Sequence, residues 1–123
     1  MHNSKIKKKI ITLIGPTACN KTSTAVHLIK KFPISIIGVD SVQIYKRFNI
    51  GSAKPPKEIL EKYKHHLVDS ADPENIFSVT DFYDQAYRIV MQAHSNNRIP
   101  LLVGGTMMYF NALFKGINDI PEG

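Results

Sequence analysis

Short apolar runs that alternate with helical patterns constrain the fold of this chain more than any other feature of its sequence. Residues 10–14, 34–39 and 99–103 are rich in Ile, Leu and Val, and a Gly or Pro borders each run. Strands that are buried on both faces read as continuous apolar runs, because neither face requires polar residues. The sequence therefore predicts an α/β fold in which a parallel sheet is flanked by helices.

Helical periodicity fills the segments between these runs. Residues 21–32 have apolar side chains at helical spacing. Ser78 and Asp81 have the sequence pattern of a capping box, which marks the start of another helix. The apolar face of that helix is predicted to contain Phe82, Ala86, Ile89, Val90 and Ala93. A short helix near residues 57–64 and a short strand at 66–69 are also predicted.

The composition suits one packed domain or a piece of a larger one. The chain has 123 residues, of which 43% are apolar and 21% are charged. Its net charge is +6, and Lys5, Lys7, Lys8 and Lys9 alone contribute +4 of that charge. Residues 1–9 are therefore predicted to form a basic arm, which is as typical of a solvated tail as of a nucleic-acid contact.

The cysteine content and the hydropathy indicate the compartment. Cys19 is the only cysteine, which excludes a disulfide within the chain and a cysteine-based zinc site. No apolar run approaches the ~18–20 residues that a membrane-spanning helix needs. We therefore expect a cytoplasmic protein that has no membrane partner.

The segment between the first apolar run and the first helix has the residues of a phosphate-binding loop. It comprises Gly15, Pro16, Thr17, Ala18, Cys19, Asn20, Lys21 and Thr22. A loop that enters a helix in this way points backbone N–H groups at one spot, and the helix N-terminus adds partial positive charge. Lys21 would supply a full charge, and the Thr22 hydroxyl would bind Mg²⁺. The alternative is an ordinary strand-turn-helix with an incidental lysine.

One position departs from the usual pattern of such loops. The residue before the lysine is usually glycine, which allows unusual backbone angles and close approach of a phosphate. Here that residue is Asn20. Asn tolerates left-handed backbone angles better than most residues, so the loop can keep its shape while the side chain crowds the anion. We therefore expect weaker phosphate binding than glycine would give.

A second group of polar residues follows the later strands. Asp40 comes directly after the second apolar run, and Gly104, Gly105 and Thr106 form a tight turn from the last run into a final helix. The carboxyl ends of parallel strands meet at one edge of a sheet, where ligands bind. Asp40 would order the waters of Mg²⁺ or accept a proton, or it would only cap a turn. Thr106 would contact a phosphate or cap the final helix.

Two adjacent histidines, His65 and His66, do not resemble a metal-binding pair. Neighbouring residues of a strand face opposite sides of its sheet, so the two rings cannot converge on one ion. A structural role is therefore predicted for both.

Taken together, these motifs resemble those of the tRNA dimethylallyltransferase family, also called the tRNA isopentenyltransferases. The resemblance rests on Gly15-Pro16-Thr17-Ala18 with Lys21-Thr22, Asp40-Ser41-Val42-Gln43-Ile44-Tyr45, Ile50-Gly51-Ser52-Ala53-Lys54-Pro55, His65-His66-Leu67-Val68-Asp69 and the segment from Pro100 to Tyr109. The motifs occur in the family order, and their combination is specific. The family pattern has Ser-Gly where this chain has Cys19-Asn20. The resemblance implies a P-loop NTPase-like fold.

The resemblance also implies a reaction. The family transfers a dimethylallyl group from dimethylallyl diphosphate to the exocyclic amine of the adenine that lies 3′ of the tRNA anticodon. Residues 15–22 would hold the diphosphate together with Mg²⁺, which stabilises the charge that develops on the leaving group. Asp40 would be the general base that takes the proton of the amine.

The remaining site residues are likewise implied by the family. Asp40, Ser41, Val42 and Gln43 would contact the tRNA anticodon stem-loop. Thr106 would take part in catalysis and, with Thr17, would support the phosphates. Lys54 and the N-terminal lysines would meet the RNA backbone through their charge.

The resemblance covers only the N-terminal part of the family's length. Residues 10–123 would be the first part of a P-loop-like catalytic domain, truncated before its later core elements and an inserted helical domain. Family members are expected to be monomers. Two alternatives stay open, namely a truncated remnant without catalytic activity and a small P-loop nucleotide kinase that binds ATP. A kinase needs arginines that close over the phosphates, and the chain has only Arg47, Arg88 and Arg98.

Overall fold

A parallel sheet of four strands is the framework of the chain. The computed structural model describes residues 9–15, 21–46 and 54–118, so the predicted basic arm lies outside the described residues except for Lys9. The strands are β1 (Ile11–Ile14), β2 (Ile34–Val39), β3 (His65–His66) and β4 (Ile99–Gly104). They pair in the order β1-β4-β2-β3, and every pairing is parallel. The predicted fold class is confirmed.

Helices cover both faces of the sheet. They are α1 (Lys21–Lys31), α2 (Lys57–Lys62), α3 (Val79–Ser95) and α4 (Met107–Asn118). On one face, α1 packs through Ala25 in a cluster with Ile34, Ile36 and Leu101. On the other face, α3 and α4 bury a larger cluster, which comprises Ile37, Val39, Ile44, Leu67, Phe82, Ala86, Val90, Leu102, Tyr109, Phe110 and Leu113. The sheet is therefore the middle layer of three.

Helix α3 begins where the sequence predicts. The Ser78 hydroxyl accepts a hydrogen bond from the Asp81 N–H at 3.0 Å, and the Asp81 carboxylate accepts one from the Ser78 N–H at 2.9 Å. Phe82, Ala86, Val90 and Ala93 of the predicted face are buried, and Ile89 is partly buried against the same core. The Phe82 ring stacks on Tyr109 of α4, with 4.2 Å between the ring centroids. The capping box thus sets the start of the helix that covers one face of the sheet.

The third strand is shorter than predicted and lies earlier in the chain. The sequence predicts a strand over residues 66–69, whereas β3 contains only His65 and His66. Leu67 and Asp69 have φ angles of 62° and 56°, in the left-handed region. A strand cannot continue through such angles, so the chain turns at Leu67. The turn brings the Asp69 N–H to the Gln43 carbonyl at 2.9 Å.

Strand β1 is an edge of the sheet as far as the described residues extend. It pairs with β4, and Ile11 and Leu13 pack on the α1 side. Thr12 and Ile14 point to the other side, where Thr12 is exposed and Ile14 keeps 49% of its surface exposed. The α3 and α4 layer therefore covers β2 and β4 more fully than it covers β1.

Replacing Ser78 with Ala tests the capping box. We expect the free energy of unfolding to fall by about 1 kcal/mol, because the N–H of Asp81 loses its acceptor at the start of the helix. Urea denaturation followed by circular dichroism measures this change. Thr80→Ala is the matched control, because Thr80 lies in the same helical turn and is exposed. Equal effects of the two substitutions would contradict the assigned cap.

Candidate functional site

The chain segments that follow β1, β2 and β4 meet at one edge of the sheet, as predicted. The N–H of Gly15, after β1, donates to the Gly104 carbonyl at 3.2 Å. The N–H of Thr106, after β4, donates to the Val39 carbonyl at the end of β2, also at 3.2 Å. These bonds join the chain segments that lie just beyond the ends of the strands. They bring the phosphate-loop segment, the Asp40 segment and the start of α4 together.

Two glycines make this convergence possible. A Cβ atom on Gly104 would lie 2.0 Å from the Val39 carbonyl oxygen, and one on Gly105 would lie 2.9 Å from the Gly15 carbonyl oxygen. Backbone atoms cannot move aside as the end of a side chain can. Any other residue at Gly104 would therefore push β2 and β4 apart at the site.

Lys21 lies at the first position of α1, and its ammonium group turns back toward β1. Its Nζ atom donates to the Gly15 carbonyl at 2.6 Å, so the lysine links the two ends of the predicted phosphate loop. Of the loop residues, Gly15, Lys21 and Thr22 are described. The other five, residues 16–20, lie outside the described residues, and with them the effect of Asn20. The lysine charge thus stands at a helix N-terminus, where an anion is favoured.

A cavity opens beside Lys21 on the α1 side of the sheet. Its polar wall is formed by Lys21, Thr22, Gln43 and His65. Its apolar wall is formed by Ala25, Ile36, Val68 and Val103, and Gly38, Pro55 and Gly104 complete the lining. The lining combines one positive charge with apolar walls, which is the chemistry that a ligand with an anionic head and a hydrocarbon tail requires, and it encloses a volume of about 40 Å³. Asp40 and Thr106 do not line this cavity.

The Asp40 carboxylate is held in a turn by backbone N–H groups of the residues that follow it. One carboxylate oxygen, Oδ1, accepts hydrogen bonds from the N–H groups of Val42 and Gln43, at 2.9 Å and 3.1 Å. The turn-capping role that the sequence allows is therefore observed. It fixes the orientation of the carboxylate.

Thr106 holds the Asp40 segment from the other side. Its hydroxyl oxygen accepts a hydrogen bond from the Ser41 N–H at 2.9 Å and lies 3.4 Å from the Ser41 hydroxyl. Its carbonyl accepts the first N–H groups of α4, from Tyr109 and Phe110. Thr106 therefore ties the start of α4 to the residue that follows Asp40, a contact across 65 residues of sequence.

The segment from residue 40 to residue 43 presents its side chains in different directions. Gln43 lines the cavity, whereas Val42 is 46% exposed and Ser41 is half-buried against Thr106. One short turn thus contributes to the cavity and to the outer surface. Such an arrangement is able to contact two parts of a ligand at once.

Lys54 does not have the role that the sequence suggests. Its ammonium group donates to the Tyr45 carbonyl at 2.5 Å and pairs with Asp69 at 3.1 Å, and its side chain is only 5% exposed. The expected contact with an RNA backbone is therefore wrong for this lysine. A buried ammonium needs such partners, because leaving it unpaired in the interior would be costly. Lys54 instead fixes the Tyr45 segment onto the turn after β3.

His65 is a site residue that the sequence reasoning assigns only a structural role. Its Nδ1–H donates to the Tyr63 carbonyl at 2.7 Å, and its ring lines the cavity that contains Lys21. Burial lowers the pKa of His65, although the bond to Tyr63 opposes that effect. His66 faces the opposite side of the sheet, as predicted. The sequence could have indicated this position of His65, because one of two adjacent histidines on a strand must face the α1 side of the sheet.

Two kinds of feature are absent from the parts of the chain that the structure describes. No three His, Cys, Asp or Glu side chains there are grouped closely enough to hold a metal ion. None of the helices there is both long and apolar enough to cross a membrane.

The two histidines predict how stability depends on pH. Burial lowers the pKa of both below the ordinary value of 6.5, and nearby Lys64, Arg98 and His65 lower that of His66 further. Below about pH 6.5 the unfolded chain therefore binds protons that the folded chain does not. We expect the free energy of unfolding to fall on acidification through that range.

Urea denaturation at about pH 7.5 and about pH 5.5 measures this fall, alongside His65→Gln and the matched control His27→Gln. His27 is exposed on α1. The His65 substitution should reduce the difference between the two pH values, and the His27 substitution should leave it unchanged. A difference that is the same in all three proteins would contradict the assignment.

Comparison with known proteins places this chain in a family. A family model described as IPP transferase matches residues 43–123. The tRNA dimethylallyltransferase of Dichelobacter nodosus is 47% identical over 112 residues, which cover 91% of this chain and 35% of that protein. The tRNA dimethylallyltransferase 2 of Hahella chejuensis is 45% identical over 122 residues, which cover 99% of this chain and 37% of that protein. The chain thus spans little more than a third of the length of these relatives.

Solved structures agree with the sequence comparison. The full-length tRNA isopentenylpyrophosphate transferase of Bacillus halodurans superposes with a TM-score of 0.81 and 40% identity, covering 93% of this chain and 38% of that one. A eukaryotic dimethylallyltransferase, captured acting on tRNA, has a TM-score of 0.80 and 29% identity, covering 93% of this chain and 28% of that one. The fold is accordingly P-loop NTPase-like. With its residues 43–123 matched by the family model and its sheet shared with these enzymes, the chain belongs to the IPP transferase family.

Proposed function

We propose that this chain is the N-terminal part of the catalytic domain of a cytoplasmic, monomeric enzyme that prenylates tRNA. The reaction is the transfer of a dimethylallyl group from dimethylallyl diphosphate to the exocyclic amine of the adenine 3′ of the anticodon. One observation carries the proposal. The Lys21 cavity and the Asp40 turn lie side by side, held together by hydrogen bonds at the ends of three strands.

The chemical character of the cavity's lining, rather than its volume of about 40 Å³, suits the prenyl donor. Lys21 supplies positive charge at the N-terminus of α1, and the apolar wall includes Ile36 and Val103. The diphosphate would lie against Lys21 and the backbone of residues 15–22, and the five-carbon group against the apolar wall. Charge on the leaving diphosphate increases as the C–O bond breaks, so a fixed cation there lowers the barrier.

The residues also fit a magnesium ion. Mg²⁺ prefers oxygen ligands and is usually held by one or two protein groups together with substrate phosphates and water. Thr22 lines the same cavity as Lys21, and the Asp40 carboxylate lies at the neighbouring turn. Thr22 would bind the ion directly, and Asp40 would order its waters. When bound, the ion would neutralise charge on the diphosphate.

Asp40 is the proposed general base. An amine attached to adenine is a weak nucleophile, so a carboxylate within hydrogen-bond reach assists its attack. The N–C bond forms as the C–O bond breaks, the diphosphate leaves with the bonding electron pair, and the amine proton moves to Asp40. Because the Val42 and Gln43 N–H groups fix Oδ1, the carboxylate meets the amine in one orientation. Thr106 keeps the turn in place through Ser41.

The tRNA would approach this turn from outside. Val42 is exposed there, and Ser41 and Gln43 flank it, so the three residues suit contacts to an adenine that has left its stack. The cavity side would then hold the donor and the outer side the acceptor.

A nucleotide kinase is a poorer fit. Its arginines would have to close over the phosphates, yet Arg98 is bonded to Ser35 and Ile34 at the opposite end of the sheet. Arg88 is exposed on α3, on the other side of the sheet from Lys21. Arg47 lies outside the described residues. Neither described arginine is placed to reach a phosphate beside Lys21.

Prenyl transfer by the purified 123-residue chain tests the proposal. The assay contains Mg²⁺, labelled dimethylallyl diphosphate and an anticodon stem-loop with adenine 3′ of the anticodon. We expect label on the RNA, reduced about 10²–10⁴-fold by Asp40→Asn, because the base is lost while the shape of the side chain is kept.

The matched control for that experiment is Asp84→Asn, which removes an exposed carboxylate from α3. It should leave the rate unchanged. Transfer that survives Asp40→Asn would refute the role of the base. No transfer by folded protein would identify the chain as a remnant that keeps the site without the reaction.

Asn20→Gly tests the sequence argument about the phosphate loop. We expect the dissociation constant for dimethylallyl diphosphate to fall several-fold, because glycine leaves more room for the anion. Isothermal titration calorimetry measures the constant, and Lys21→Ala serves as the reference for lost binding. An unchanged constant in Asn20→Gly would argue against crowding by Asn20.

A further inference from the structure

A second cavity lies at the end of the sheet opposite the candidate site. It has a volume of about 380 Å³ and is bounded by the first residues of β2, by β3, and by the C-terminal ends of α1, α2 and α3. It shares no lining residue with the cavity beside Lys21. Whatever it binds is therefore separate from the proposed prenyl donor.

This second cavity is lined by positive charge. Lys62, Lys64, Arg98 and His66 contribute to its wall, and Tyr63, Gln92 and Asn96 add neutral polar groups. No Asp or Glu is among its lining residues. The two ion pairs of the described chain, Lys54–Asp69 and Lys57–Glu61, involve none of these cations.

Arg98 is fixed in this wall. Its Nε–H donates to the Ser35 hydroxyl at 3.0 Å, and Nη2 donates to the Ile34 carbonyl. A guanidinium has five N–H donors, so these bonds hold its plane and leave others for a ligand. A planar, pre-oriented guanidinium is the side chain best suited to phosphate oxygens.

The lowered pKa of His66 reflects the same concentration of positive charge. Burial lowers its pKa most, and the charges of Lys64 and Arg98 lower it further, so both cations stand close to its ring. Lys62 also lines the cavity, α3 and the residue that caps its C-terminus contribute only Gln92 and Asn96 as polar groups, and His65 lowers the pKa of His66 from the same strand. An anion among these groups would relieve their mutual repulsion.

We propose that the cavity lined by Lys62, Lys64, Arg98 and His66 is a binding site for a phosphate group. The phosphate would be bound by the Arg98 guanidinium and the two lysines, with the His66 ring at its side. The same chemistry fits a small phosphate and a phosphodiester of an RNA strand. A cavity of about 380 Å³ has room for the group with several waters.

Titration of the 123-residue chain with inorganic phosphate tests this site. Histidine ring signals followed by NMR, at constant ionic strength against chloride, report on His66. We expect phosphate to raise the pKa of His66 and Lys64→Gln to weaken phosphate binding about tenfold. Lys115→Gln, an exposed cation removed from α4, is the matched control and should change the affinity by less than about twofold.

Two further arms separate this site from the phosphate loop and identify the source of the phosphate. In Lys21→Ala the His66 response should persist, whereas its loss would assign the binding to the loop and overturn the proposal. An anticodon stem-loop that shifts the His66 signals and competes with phosphate identifies an RNA phosphate. Phosphate binding without an RNA response identifies a small phosphate. Unmoved His66 signals, or equal effects of Lys64→Gln and Lys115→Gln, would refute the site.

Discussion

The close approach of β2 and β4 at their carboxyl ends is the constraint on which the rest of the structure depends. Val39 and Gly104 are paired in register, and there is no room for a Cβ atom on Gly104 against the Val39 carbonyl. That contact lets the Thr106 N–H reach β2 and its hydroxyl reach Ser41. Thr106 can therefore connect α4 with the Asp40 turn, although 65 residues separate it from Ser41.

The two ends of the sheet differ in the charged groups that they present. At the carboxyl end, one lysine and a helix N-terminus stand beside a fixed carboxylate, so attraction for an anion and a proton acceptor lie within one site. At the amino end, cations converge without a carboxylate among the lining residues. The arrangement at the carboxyl end suits catalysis, because it places a positive charge beside a carboxylate. The second offers donors and positive charge but no carboxylate, so it suits the binding of an anion.

Much of the framework could be predicted from local sequence. β2 was predicted with its observed bounds, β1 and β4 to within one residue, and the capping box of α3 with both of its partners. These features depend on residues that are near one another in the chain. The predicted bounds of β3 were wrong because Leu67 and Asp69 have left-handed backbone angles, and no glycine marked the turn. The burial of Lys54 also depends on distant segments, so its charge could not reveal it, whereas the cavity position of His65 could have been inferred from the pair of adjacent histidines.

The position of β1 has a consequence for how ligand binding and folding are coupled. β1 carries the phosphate-loop segment, and β4 is its only strand neighbour among the described residues. An edge strand with exposed Thr12 and Ile14 can detach at a lower free energy than the strands at the centre. Its detachment would separate Gly15 from both Gly104 and Lys21. An anion that bound Lys21 only while Gly15 is in place would therefore also hold the edge strand onto the sheet, and the free energy of local opening would contribute to its affinity.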